Sequence, residues 1–162
     1  MVRKNAVDKK PWDDTSTTSN YWPNSDLLSW LNSNYKNLFS STVQDLIGTT
    51  KYIFTLPGGA ATLTTRSDAC FTLSVTEYGL TSYKANVEGS NLPIANTLLT
   101  IIQQYQGCWT RSILIGGSKG GALEIENGQV LDDFTRGNYT FLPVFTLPKN
   151  AFVDSNLALI ET

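Results

Sequence analysis

The sequence predicts an α+β fold, with two or three short helices in front of a mostly antiparallel sheet. Three observations carry that expectation. Apolar residues keep helical spacing in three short stretches, strand-like runs bounded by turn residues fill most of the remainder, and an Asn-Gly pair sits between apolar residues that alternate. The 162 residues are read as one domain, 1–162, long enough to bury roughly two-thirds of the unfolded chain's surface.

Residues 1–24 are polar and turn-rich, with Pro11, Asp13-Asp14, a Ser/Thr run and Pro23, yet they hold Trp12, Tyr21 and Trp22. Three large aromatics are foreign to a disordered tail. The stretch is therefore expected to be an ordered polar loop whose rings dock on the core. A helix is expected over 24–32, capped by Asn24 or Ser25, with Leu27, Leu28 and Leu31 on one face. A second is expected over Ser41–Ile47, where Ser41 and Gln44 are spaced as a capping box and Gly48 stops it.

Lys51–Leu56 reads as a strand ending at Pro57-Gly58-Gly59, with Ala61–Arg66 as its return arm. Ala69–Val75 alternates and puts Phe71, Leu73 and Val75 on one face. Helical spacing of Leu98, Leu99, Ile102 and Tyr105 predicts a helix after Pro93, within 92–104. Cys108–Ile115 is a strand that stops at the glycine-rich Gly116–Gly121. Leu123-Glu124-Ile125 turns at Asn127-Gly128 into Val130-Leu131, and Tyr139–Leu147 is a final core strand before Pro148.

Composition excludes several function classes. The net charge is −2, and the basic residues cluster only as Arg3-Lys4 and Lys9-Lys10, so electrostatic binding of nucleic acid is not expected. No apolar run approaches the roughly 18–20 residues of a membrane span, and the first 25 residues hold no apolar signal core. The expected place of synthesis is a cytoplasm. Histidine is absent, which removes the commonest general base and the commonest transition-metal ligand. Cys70 and Cys108 cannot make a zinc site by themselves. They form one disulfide or stay as two buried thiols, and the thiols are preferred because free cysteine is among the most buried residue types.

Each residue with chemical potential has a plainer reading. Glu77 is expected to bond backbone N–H groups of its turn, since no partner carboxylate or base is identifiable. Trp109 and Arg111, two apart on a strand, share a face. They could stack a sugar or peptide, but the preferred reading has Trp109 in the core and Arg111 paired with a buried acid such as Glu77. A reactive Cys108 would need a depressed pKa from nearby cations or a helix N-terminus. In Gly116–Gly121, Ser118-Lys119 are in the wrong order for a phosphate loop, so the segment is a hairpin or display loop. Asp132-Asp133 with Glu124 and Glu126 is read as a solvated acidic turn in preference to a cation site. No metal or cofactor is expected.

Five segments in order resemble a known family. They are Asn24–Asn32, Phe71–Leu80, Glu88-Gly89-Ser90, Trp109-Thr110-Arg111-Ser112 and Phe141–Pro148. They are similar to the N-S-x-L-x-x-W-L-N, F-L-L-S-x-x-E-x-G, E-G-S, W-x-R-S and V-R-P-A-F-x-L-P segments of an uncharacterised domain family of bacterial surface proteins and phage or prophage tail proteins. The resemblance spans about residues 20–150 and implies a fold like the C-type-lectin and formylglycine-generating-enzyme group. Two departures stand out. The family carries one or two strands before the stretch matching Val2–Asn5, so a preceding strand is expected to be missing or supplied by a partner. Leu142 stands where the family often has Arg, and that residue's role is not carried over. The copper-bound cysteine pair of the enzyme group is not matched as a motif.

The resemblance implies a non-catalytic binding or display module of a bacteriophage virion, made in the bacterial cytoplasm. It would be a tail-fibre or receptor-binding component, and the contrasting expectation is a capsid decoration or tail-assembly protein. Expected partners are other virion subunits, further copies of the chain, and a host-surface glycan or protein. Such folds hold variable loops on a rigid frame. The candidate binding residues are therefore Lys119 in the glycine-rich loop, with Asp133, Arg136, Asn138 and Tyr139 in the loop over 132–139.

Overall fold

In the computed structural model, which describes residues 7–14, 20–58, 62–116, 121–148 and 151, a strand lies inside the stretch expected to be a loop. This strand, β1 (Val7–Lys10), is followed after Pro11 by Trp12, whose ring is fully buried and whose Nε1–H donates to the Thr110 carbonyl at 3.0 Å. Trp22 is equally buried and packs 5.5 Å from Trp12, while Tyr21 lies against Phe54. The rings dock as expected. They also draw the preceding backbone into the sheet, which hydrophobic pattern alone does not show.

Helix α1 (Asp26–Trp30) begins where Ser25 Oγ accepts the Leu28 N–H, and it buries Leu27 and Leu28. It widens into a π-helical turn over Leu31–Tyr35. Within that turn the Asn32 side chain ties the helix to another segment. Its amide donates to the Leu28 and Cys70 carbonyls and accepts the Ala69 and Cys70 N–H groups, at 2.8 to 3.2 Å. Helix α2 (Ser41–Leu46) is capped one residue earlier than the spacing suggests. Ser40 Oγ accepts the Val43 N–H, and Gln44 reaches back to the Phe39 carbonyl instead of completing a box with Ser41.

Strands β2 (Thr50–Thr55) and β3 (Leu63–Asp68) pair antiparallel from Thr50↔Asp68 to Thr55↔Leu63, so the return arm starts later than expected. The strand expected over Ala69–Val75 shrinks to β4 (Phe71–Thr72). Ser74 and Glu77 end it, because Glu77 Oε2 accepts the Ser74 N–H at 3.0 Å while Ser74 Oγ accepts the Glu77 N–H at 3.2 Å. That reciprocal pair is a capping box, which turns the chain although alternation continues through Val75. Helix α3 (Ala95–Ile102) forms as its spacing predicts and buries Ala95, Leu98 and Ile102.

The last third adds β5 (Cys108–Ile113), β6 (Gly121–Glu126), β7 (Gln129–Phe134) and β8 (Tyr139–Phe141), which with β1 make a five-stranded sheet in the order β1-β8-β5-β6-β7. Among these pairings only β5 with β8 is parallel. The β6–β7 hairpin turns at Asn127 and Gly128 with φ of 49° and 75°, the positive pair that a type I′ turn requires. The expected single strand Tyr139–Leu147 breaks at Leu142. Pro143 has no N–H for a central ladder, and the chain leaves the large sheet there to form β9 (Pro143–Val144) against β4. Among the described residues no helix is long and apolar enough to cross a membrane.

Candidate functional site

Strand β2 meets the β9 segment at one end. Gly48 bridges Thr146, and the Thr50 and Thr146 hydroxyls bond at 2.9 Å. Beyond that point β2 and β9 are not paired, and a groove of about 560 Å³ opens between them. Lys51 and Ile53 form one wall, Phe71, Leu73 and Val144 the apolar base, and Leu92, Pro93 and Ile94 the opposite rim. Its volume falls in the range of sites that hold small ligands or side chains.

The Glu77 carboxylate reaches this groove but is already occupied. The fully buried Arg111 guanidinium holds it in a fork, with Nη1 at 2.6 Å from Oε2 and Nη2 at 2.8 Å from Oε1. The same guanidinium donates to the Thr72 carbonyl at 2.9 Å and to the Ile53 carbonyl at 3.0 Å, and it lies over the Tyr52 ring. One side chain from β5 thus ties β2, β4 and the Ser74–Glu77 turn together. The pairing of Arg111 with Glu77 is the one preferred from the sequence. Trp109 is fully buried in the core, as expected, but away from Arg111: its ring meets Tyr139 edge-on and its N–H reaches the Lys10 carbonyl. Strand β5 shifts register between Trp109 and Ile113, so the simple alternation that would put both on one face is broken.

Beneath the groove wall, Tyr52 receives a hydrogen bond from Trp22 Nε1 and donates its own to Asp68 at 2.6 Å. Burial, reinforced by Asp68, holds its phenol well above the ordinary range. Glu88 is fully buried and has no basic partner among the described residues. It accepts from the Thr55 N–H, the Thr55 hydroxyl and the Ser112 hydroxyl at 2.5 to 2.7 Å, which fixes the loop over 88–94 to β2 and β5. Sequence reasoning singled out Glu88 only within a matched segment and missed its donors, which come from Thr55 and Ser112, far from it in the chain.

Both cysteines are fully buried free thiols. Burial pushes Cys70 up to about 11 and Cys108 up to about 12, so neither is a ready thiolate.

The binding residues expected from the sequence are only partly brought together. Lys119 lies outside the described residues. Arg136 and Asn138 are exposed on the turn between β7 and β8. Asp133 and Tyr139 are spent on each other through a 2.5 Å hydrogen bond, and Tyr139 is half-buried against Trp109. Lys84 pairs with Asp132. Glu124, on the face shared with Trp109, is buried with Oε2 lacking a hydrogen-bond partner among the described residues. Burial, then the charges of Glu126 and Asp133, raise its carboxyl to about 7. Among the described residues no group of three or more acidic or cysteine side chains is placed to hold a metal ion.

The groove was invisible to the sequence because its walls come from segments near 50, 70, 90 and 145. No curated protein and no solved structure matches the chain. One family model does match it, and it takes in the groove, the Arg111 tie and the acidic sheet face alike. The chain belongs to the family described as Domain of unknown function (DUF6273), whose model covers residues 1–148.

Proposed function

We propose that this chain is a non-catalytic binding module that seats its ligand in the groove between β2 and β9. The observation that carries the reading is the groove itself: an apolar base of Phe71, Leu73 and Val144, held in shape by a buried guanidinium that has already neutralised the nearby carboxylate. Such a site can hold an apolar group firmly, while its charged pair is committed to the frame. Placement of the module in a bacteriophage tail fibre or receptor-binding component, recognising a host-surface glycan or protein, rests on the five matched segments. A C-type-lectin-like arrangement fits the short helices, small sheets and long connections, and it belongs to the same reading.

The test is retention of the purified chain on bacterial envelope preparations, with Ile53→Glu as the probe of the groove. Ile53 is half-buried on the groove wall, so a charge there should abolish retention while leaving the circular dichroism spectrum unchanged. Retention that survives this substitution moves the site away from the groove. Turnover of an envelope glycan or peptide by the chain overturns the non-catalytic reading. Stoichiometric display over a capsid overturns the tail placement.

A further inference from the structure

The chemistry of the groove wall narrows the class of ligand, given the reading of the groove as the binding site. In the β2–β3 ladder the even-numbered residues of β2 bond toward β3, as the following Leu56 N–H to Thr62 carbonyl bond at 2.9 Å shows. The odd-numbered residues turn their backbone groups the other way. Two of those outward groups are capped by side chains: the Ile53 carbonyl by Arg111 and the Thr55 N–H by Glu88. The Lys51 N–H, the Lys51 carbonyl and the Ile53 N–H face the groove, and none has a hydrogen-bond partner among the described residues. Three successive backbone groups of this kind form the template onto which another strand pairs.

Charge points the same way. The Glu77 carboxylate is neutralised by Arg111, whereas Lys51 is exposed on the groove wall and makes no ion pair among the described residues. The groove is thus apolar at its base and positive at its edge. We propose that it takes an extended peptide segment of a partner protein, added as a strand along the outer edge of β2, with apolar side chains on Phe71, Leu73 and Val144 and an acidic one beside Lys51. The added strand ends at Ile53, where the Arg111 guanidinium already occupies the carbonyl. Backbone pairing supplies the affinity and the alternate side chains the selectivity.

Residue-resolved amide hydrogen exchange on the full chain tests this, with an end-capped synthetic peptide of alternating valine and glutamate as the probe. Saturating peptide should slow exchange at Lys51 and Ile53 by at least about tenfold. Exchange at Thr50 and Tyr52, which bond toward β3, should stay unchanged. Backbone N-methylation of the peptide should abolish the effect, and Lys51→Glu should transfer the preference to a valine–lysine peptide. An N-methylated peptide that binds equally well overturns strand addition and leaves the groove as a site for apolar ligands. Slow exchange at Lys51 and Ile53 in the free chain also overturns it, because the edge is then filled by the chain itself or by a second copy. If the peptides do not bind but Ile53→Glu still abolishes envelope retention, this proposal fails and the groove reading stands.

Discussion

Replacing Arg111 with methionine keeps most of the side chain's volume and removes its charge and all its N–H donors. The guanidinium is fully buried, and Glu77 is 14% exposed at the side chain, so water can only partly replace the lost partner. The substitution leaves an unpaired carboxylate supported by the Ser74 N–H, and it strips a donor from each of the Thr72 and Ile53 carbonyls. Breaking a buried pair from one side costs about 3–5 kcal/mol, and the two carbonyls can be partly rehydrated through the groove, so the expected loss is about 4 kcal/mol. For a chain of this size that lowers Tm by about 8–16 °C, against a total stability on the order of 5–15 kcal/mol. Urea unfolding followed by circular dichroism measures the loss directly. The double substitution Arg111→Met with Glu77→Gln should cost about 2 kcal/mol less than the sum of the single changes, because the orphaned charge is gone. A single variant within about 1 kcal/mol of the parent, or strict additivity in the double, would refute the keystone role assigned to this side chain.

The remaining expectations address separate parts of the molecule. The Glu124 carboxyl is raised to about 7 in the fold, so the folded state holds its proton where the unfolded chain has lost it. Its stabilising contribution is full below the unfolded carboxyl value, falls as pH rises toward 7, and is lost above it. After allowance for solvent screening the change is on the order of 2 kcal/mol, and Glu124→Gln should flatten stability between about pH 5 and pH 7. Gly107→Ala should destabilise by more than about 2 kcal/mol, because φ is 77° there and a Cβ would overlap Glu124 Oε2 and the Tyr139 ring. Thermal melts decide it, and a neutral result would mean that the Gly107–Glu124 contact is loose. Cys70 and Cys108 should react with a thiol reagent only at the rate of global opening, since both are buried. Prompt labelling under native conditions would contradict the packing around Tyr78 and Asn32.

Much of the frame follows from local pattern. Leu98 and Ile102 specify the buried face of α3, and Asn127-Gly128 specifies its hairpin through the two positive φ values. Trp12 and Trp22 dock on the core, as large aromatics in an otherwise polar stretch imply. The Ser74–Glu77 capping box was present in the letters, yet strand alternation through Leu73 and Val75 masked it, because both patterns leave the same side chains buried. Strand β1 was masked by its polarity: its pairing is bought by Trp12 docking behind it and by β8 lying open beside it. Asp133 and Tyr139, expected in a loop, lie near the end of β7 and at the start of β8, and sequence does not show that they face each other.

By itself the sequence determined the α+β class, the helix faces and the hairpin, since each follows from spacing. Tertiary structure alone decided where the chain changes sheets at Leu142 and which edge of β2 stays open. It also decided that segments near 50, 70, 90 and 145 enclose a groove. The physical reason is distance along the chain. Local pattern says which atoms must leave water, whereas a groove depends on which strands stop short of pairing, and that is settled only when the whole sheet is assembled.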